Sequence, residues 1–251
     1  MRRTFIVGLY IFGTIAIPCT LVAADPQKSQ AQTVTPNSST SATIANDSES
    51  MDVASVLKAV KQAESRIHDL SFSFTQITSL KGAGDPQEVR GHIKMTRKPD
   101  RFRVDYESPV KQVAIYDGKT ILVYLPETGQ AFRQKASGID LKKILGFDPS
   151  APLGVIEGQY NPEFVGCSAG ICRISFKSGD KSGTSWAMSL DSSNWQASEI
   201  SFENSDMTMK IICSEYLSNQ GIKAGTFRFV LPPDTEVIEG IPMLMGPGKA
   251  P

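Results

Sequence analysis

From Gly91 to Gln134 the chain alternates apolar and polar residues through several short runs. Ile93 and Met95, then Phe102, Val104 and Tyr106, then Val113 and Ile115, then Ile121, Val123 and Leu125 share one parity; Lys94, Thr96, Arg101, Arg103, Asp105 and Gln112 fall between them. Successive side chains of a strand point to opposite faces, so period two predicts an antiparallel meander with one apolar and one hydrated face. Strand character returns at Arg173 to Phe176, Trp186 to Leu190, Ile200 to Phe202, Met207 to Leu217 and Phe227 to Leu231. The turn-rich stretches Ser178 to Gly183, Asp191 to Asn194 and Asn204 to Asp206 separate most of them.

The period changes before the meander. Val53, Val56, Leu57, Val60, Ile67 and Leu70 recur at three- and four-residue steps, with Lys58, Lys61, Gln62 and Arg66 opposite, which predicts one amphipathic helix capped by Ser50 or Asp52. Phe72 and Phe74 then alternate with Ser71, Ser73 and Thr75, a switch to strand. A second, short helix is expected near Ile139 to Leu145, between Gly138 and Gly146. The class is therefore mainly β (α+β), with few helices to cover an extended apolar face.

Residues 25–50 are rich in Gln, Ser, Thr, Asn and Ala and nearly lack large apolar groups, so they are expected to form a disordered linker. Residues 51–240 read as one domain and 241–251, with Pro242, Gly246, Pro247 and Gly248, as a flexible tail. At the other end, Arg2 and Arg3 precede an apolar run from Phe5, and Val22-Ala23-Ala24 places small residues where a signal peptidase cuts. Residues 1–24 are thus expected to be a signal peptide cleaved after Ala24. The competing reading is an uncleaved anchor, against which stand Pro18 and a run barely at the ~20 residues a span needs.

The whole chain carries 26 Lys+Arg and 26 Asp+Glu; loss of Arg2 and Arg3 with the leader leaves a formal charge of −2. Near neutrality argues against nucleic acid as a partner. The local basic run of Lys94, Arg97, Lys98, Arg101 and Arg103 is interleaved with Asp100, Asp105 and Glu107. It reads either as a solvated strand face or as a patch for an acidic partner. Cys167 and Cys172 flank a four-residue turn in what is expected to be an oxidising compartment, so a hairpin disulfide competes with two free thiols. Cys213 shares parity with Met207, Met209 and Ile211 and reads as a buried thiol.

Catalytic motifs fail on context. Gly166-Cys167-Ser168-Ala169-Gly170 matches the nucleophile-elbow pattern, but strand rather than helix follows it, and both histidines, His68 and His92, precede the serine. Gly118-Lys119-Thr120 lacks the upstream glycine of a phosphate-binding loop and reads as a hairpin turn. Two histidines on different elements and one cysteine pair give no closed metal set. No metal, no cofactor and no enzymatic activity are expected. The candidate inward positions are Phe72, Phe74, Ile93, Met95, Phe102, Val104, Tyr106, Ile115, Val123, Trp186, Met188, Phe202, Met207 and Met209, which line either a cavity or an ordinary packed core.

A set of motifs in fixed order resembles the periplasmic outer-membrane lipoprotein carrier family, LolA. They are the helix running into Phe72-Ser73-Phe74-Thr75-Gln76; the Gly91 strand ending at Lys98-Pro99 with Phe102 and Tyr106; Ser108-Pro109; and Asp117-Gly118-Lys119-Thr120. Tyr124-Leu125-Pro126, Gln130, and Phe227-Arg228-Phe229 through Pro232-Pro233 to Val237 complete the set. The resemblance covers residues 51–240. It implies an incomplete antiparallel β-barrel, a strongly curved sheet whose concave hydrophobic face is covered by helices acting as a lid over a cavity.

The implied job is to take acylated lipoproteins from an inner-membrane ATP-binding-cassette exporter and hand them to an outer-membrane receptor, as a monomer. In the family an arginine just before the strand-ending proline bonds the lid. Here Lys98 holds that place, with Arg97 beside it, so either residue is a candidate for lid control. The family's tryptophan after the Gly-Lys-Thr turn is absent from this chain. An envelope lipid-sensing module and a shuttle for another lipid, such as a glycolipid, are the alternatives on the same scaffold.

Overall fold

The structure, a computed structural model, describes residues 52–82, 84–136, 160–179 and 183–240. The expected helix near Ile139 to Leu145 lies outside the described residues. The first helix, α1, spans Val53–Ser65. Asp52 caps it: its backbone is extended and its Oδ1 accepts the Ser55 N–H at 2.7 Å, which satisfies one of the donors a helix start leaves open. Val56 and Val60, one turn apart, are its buried residues.

The helical pattern ran on to Leu70, but the helix stops at Ser65 and Leu70 lies in the first strand. Asn219 supplies the reason. Its Nδ2 donates to the Arg66 carbonyl at 3.0 Å and its Oδ1 accepts the His68 N–H at 2.7 Å. The backbone groups released by the last helical turn are thus met from across the chain, and the path bends into strand.

Twelve strands follow among the described residues: β1 (Asp69–Leu80), β2 (Gln87–Thr96), β3 (Arg101–Ser108), β4 (Gln112–Tyr116), β5 (Thr120–Leu125), β6 (Gln130–Lys135), β7 (Tyr160–Ser168), β8 (Ile171–Ser178), β9 (Ser185–Asp191), β10 (Ala197–Glu203), β11 (Met207–Ser218) and β12 (Glu236–Glu239). They form one sheet in the order β12-β6-β5-β4-β3-β2-β1-β11-β10-β9-β8-β7. Two meanders, β1 to β6 and β7 to β11, join through the β1–β11 pair, and of these strands only β12, on β6, runs parallel to its neighbour. Residues as far apart in this order as Ile121 of β5 and Ile174 of β8 share one apolar cluster with α1, so the sheet curves around its inner face.

The register separates the faces. Phe72 pairs with Ile93, Ile93 with Val104, Val104 with Ala114 and Ala114 with Val123. On the other side Phe74 pairs with Cys213, Ile211 with Ile200, Ile200 with Met188 and Met188 with Ile174. All of these belong to the inner face.

Val113 and Ile115 do not. Ile115 pairs with Arg103 and Val113 with Asp105, so both stand on the outer face. The parity of β4 is shifted by one residue from the expected reading: Gln112 and Ala114, not Val113 and Ile115, follow on from Tyr106 and Val104. Ile115 is nevertheless 3% exposed, so parity could not be read from its hydrophobicity.

The chain after β11 crosses back over this outer face. The segment expected as a strand from Phe227 to Leu231 is instead a 3-10 turn at Ala224–Phe227 followed by irregular chain. Phe227 is buried, Phe229 packs on Tyr124 with ring centroids 5.3 Å apart, and Arg103 reaches the Thr226 carbonyl at 3.3 Å. A second, small apolar cluster explains why outer-face residues of β4 and β5 are hydrophobic.

Candidate functional site

The inner face is the candidate binding surface. Phe72, Phe74, Ile93, Met95, Phe102, Val104, Tyr106, Val123 and Met188 are buried there, and Trp186, Phe202, Met207 and Met209 are half-buried on the same side. Phe74 meets Tyr106 edge-on at 5.9 Å and Trp186 packs on Phe202 at 4.7 Å between centroids. Much of the expected wall is therefore packed against itself.

Space remains at one end, under the C-terminal turns of α1. A cavity of about 250 Å³ lies between Ala63, Arg66 and Ile67 above and Leu70, Phe72, Ile200, Cys213 and Tyr216 below. Of the wall residues read from the sequence, only Phe72 borders it. Cys213 keeps the parity of Met207, Met209 and Ile211, but Tyr216 was missed as a lining residue because a bulge breaks the alternation of β11: the register shifts between Ser71 and Ser73, and Glu215 sits at φ 56. The extra residue turns Tyr216 inward, where it stacks on Phe72 at 4.9 Å and donates to the Ala197 carbonyl at 2.5 Å.

The floor is dry enough to move two acid–base groups. Burial pushes the Cys213 thiol up to about 11, and burial, with Cys213 beside it, also pushes the Tyr216 phenol up. Both stay protonated at neutral pH, so the cavity presents no charge of its own from below.

The C-terminal end of α1 is pinned by side chains. Besides the Asn219 bonds, Arg97 Nη1 donates to the Glu64 carbonyl at 2.6 Å, and its own backbone N–H reaches the His68 carbonyl at 2.8 Å. Lys98 is placed differently: it is exposed, at φ 54, in the turn between β2 and β3. On the far flank Cys167 and Cys172 face each other across the β7–β8 hairpin and are joined by a disulfide.

The outer face carries a polar group that invites a chemical reading. Ser73 Oγ donates to Glu215 Oε2 at 2.5 Å and lies 2.7 Å from His92 Nδ1. With its proton committed to the carboxylate, the hydroxyl accepts from His92. A serine between histidine and carboxylate is not activated, because a nucleophile needs the histidine as its base. Ser168 is the exposed last residue of β7, before a turn that leads into another strand, not at a strand-to-helix elbow. Among the described residues no three His, Cys, Asp or Glu side chains are grouped to hold a metal ion.

The described architecture is a long open sheet curled over an apolar interior, with a helix fastened across one end. The family model described as outer membrane lipoprotein carrier protein LolA matches residues 65–153. An outer-membrane lipoprotein carrier protein of Chromobacterium violaceum is 27% identical over 201 residues, covering 74% of this chain and 89% of the relative. One of Neisseria meningitidis serogroup C is 26% identical over 204 residues, covering 74% and 87%. In fold, the crystal structure of an uncharacterized conserved protein from Thermus thermophilus aligns with a TM-score of 0.50 and 10% identity over 74% of this chain and 98% of that one. The chain is similar to proteins described as outer-membrane lipoprotein carriers, as its motifs indicated.

Proposed function

We propose that this chain is a periplasmic carrier that binds the acyl chains of lipoproteins against the inner face of its sheet and ferries them from the inner to the outer membrane. The observation that carries the reading is the 250 Å³ apolar-floored space beneath a helix whose described polar ties are gathered at its C-terminal end. Each methylene withdrawn from water is worth about 0.8 kcal/mol, so a lipid anchor does not cross an aqueous gap uncovered. An apolar cavity of about 150 Å³ already admits benzene. The resting space therefore accepts the first stretch of a hydrocarbon chain, and full loading requires α1 to lift.

Arg97 is the residue that controls α1 in this reading, since its guanidinium, and not Lys98, lies on the helix carbonyl. The leader to Ala24 would be removed on export, and residues 25–50 would tether the domain. Cargo would come from an ATP-binding-cassette exporter and pass to an outer-membrane receptor. Mature protein loaded with a fluorescent apolar probe should release it when titrated with a palmitoylated peptide, with one binding equivalent per chain. A palmitoylated peptide that displaces no more probe than its unacylated form overturns the proposal.

A further inference from the structure

The cavity beneath α1 is apolar along its floor and polar at one side. The exposed lining residues Arg66, Asn194 and Asn219 mark its mouth. Asn194, Trp195 and Gln196 line it in succession from the β9–β10 turn, and the chain then runs on into Ala197 and Ile200 of the floor.

That turn is firmly built. The Asp191 carbonyl accepts the N–H groups of Asn194 at 3.3 Å and Trp195 at 2.6 Å, the Asp191 N–H donates to the Gln196 carbonyl at 2.9 Å, and Asn194 Oδ1 accepts the Gln196 N–H at 2.8 Å. Asp191 Oδ1 also accepts the N–H and hydroxyl of Ser193. Trp195 stands at φ 61, a left-handed conformation that glycine takes freely and a bulky residue rarely does. Strain of this kind persists where the surrounding structure holds the residue in place, and Trp195 is half-buried against the apolar core.

The polar lining groups differ in what they have left to offer. Tyr216 gives its hydroxyl proton to the Ala197 carbonyl, and Asn219 uses both ends of its amide on Arg66 and His68. By contrast the Trp195 Nε1–H, the Gln196 carboxamide and Asn194 Nδ2 make no hydrogen bond among the described residues. Ligand sites of this build, apolar with a few convergent polar groups, fix a ligand's orientation through those groups. An acyl chain laid along the floor expels water from beside the turn, and a donor left there without an acceptor costs more than a hydrogen bond returns. A bare hydrocarbon supplies no acceptor.

We propose that the β9–β10 turn recognises the carbonyl of an acyl ester or amide, with Trp195 Nε1 and Gln196 Nε2 donating to its oxygen while the tail lies over Phe72, Ile200 and Tyr216. The proposal rests on the carrier reading and narrows it: the ligand class is an acyl group still joined to its head, and Trp195 and Gln196 set that specificity. A neutral carbonyl is favoured over a charged head because the turn's free donors are neutral, and because Arg66 and Glu64, of opposite charge, both line the cavity.

The test is displacement of an apolar fluorescent probe from the mature protein by glycerol monodecanoate and by glycerol monodecyl ether, which share chain length and head and differ in the carbonyl. The ester should bind about ten-fold tighter, the worth of roughly one good hydrogen bond. Trp195→Phe with Gln196→Met removes both donors at similar volume. It should bring the ester down to the ether while the ether stays within about two-fold of the parent, and an unchanged Tm shows that the variant is folded.

A parent that binds ester and ether equally, or a double variant that keeps the preference, overturns the proposal. So does a double variant that loses both ligands alike, since the turn would then shape the cavity without reading the head. If the double variant does not fold, Gln196→Met alone should lose part of the preference, and keeping all of it overturns the proposal. Equal displacement by ester and ether removes only the recognition by the turn; displacement by neither removes the carrier reading with it.

Discussion

Arg97 Nη1 lies 2.6 Å from the Glu64 carbonyl, so the chain leaving β2 holds the last turn of α1. A hydrogen bond from a charged donor is worth about 1.5–3 kcal/mol. Arg97→Ala should therefore speed amide hydrogen exchange across Val56 to Ser65 and raise the rate at which an apolar probe enters. Arg97→Lys, which keeps the charge but not the planar fork, should fall between. Lys98→Ala should leave exchange in α1 unchanged; loosening equal to that of Arg97→Ala would return control of the helix to Lys98.

How far the fold could be read in advance follows from where alternation is honest. In β2 and β3 one face packs inward and the other is more open, and there the apolar parity and the inner face coincide. In β4 both faces are covered, the outer one by Phe227 and Phe229 from the far end of the chain, so Val113 and Ile115 look like inner-face residues but stand on the other side. Phe227 to Leu231 reads as a strand from its apolar residues, but Phe227 is buried and Phe229 packs on Tyr124 without pairing, while Val230 stands 91% exposed. The mouth was the least legible part. Tyr216 reaches it through a bulge, and Trp195, Gln196 and Asn219 reach it from turns, and neither has a periodic signature.

Gly91 is required by an aromatic ring. A methyl group there would come within 3.0 Å of two atoms of the Phe74 ring and 2.5 Å from the Asp105 carbonyl oxygen, which is backbone and cannot yield cheaply. Overpacking of this kind costs about 1–3 kcal/mol. Gly91→Ala should lower the denaturation midpoint accordingly, and Gly91→Ala with Phe74→Leu should not recover it fully, because the carbonyl contact persists. A Gly91→Ala protein as stable as the parent would contradict the packing described.

The two apolar clusters should separate stability from binding. Ile115→Ala opens the outer cluster and should cost about 2–5 kcal/mol in urea unfolding, while the affinity for an acyl probe stays within roughly two-fold of the parent. Ile200→Ala, which enlarges the cavity floor, should change that affinity by more. If both substitutions shift affinity alike, the outer face shares in binding and the division fails.

Cys213 sets a pH dependence. Its thiol titrates at about 11 when folded against an ordinary value of 9.0, because burial penalises the thiolate. Between those values the unfolded chain has lost the proton that the folded chain keeps, so stability is full below about pH 9 and falls as pH rises toward 11. Cys213→Ala should flatten that part of the profile relative to the parent, measured as the difference in urea midpoint between about pH 8 and about pH 10.5. Native protein at about pH 8 should also resist alkylation at Cys213 until unfolded.

The decisive measurement is the position of a bound hydrocarbon. A palmitoyl peptide carrying a photoreactive group in the acyl tail should, on irradiation with mature protein, label the floor and roof of the cavity, at Leu70, Phe72, Ile200, Tyr216 or Ile67. Label confined to exposed outer-face residues such as Ile212 and Leu217, or spread evenly over the chain, would contradict the binding of acyl chains beneath α1.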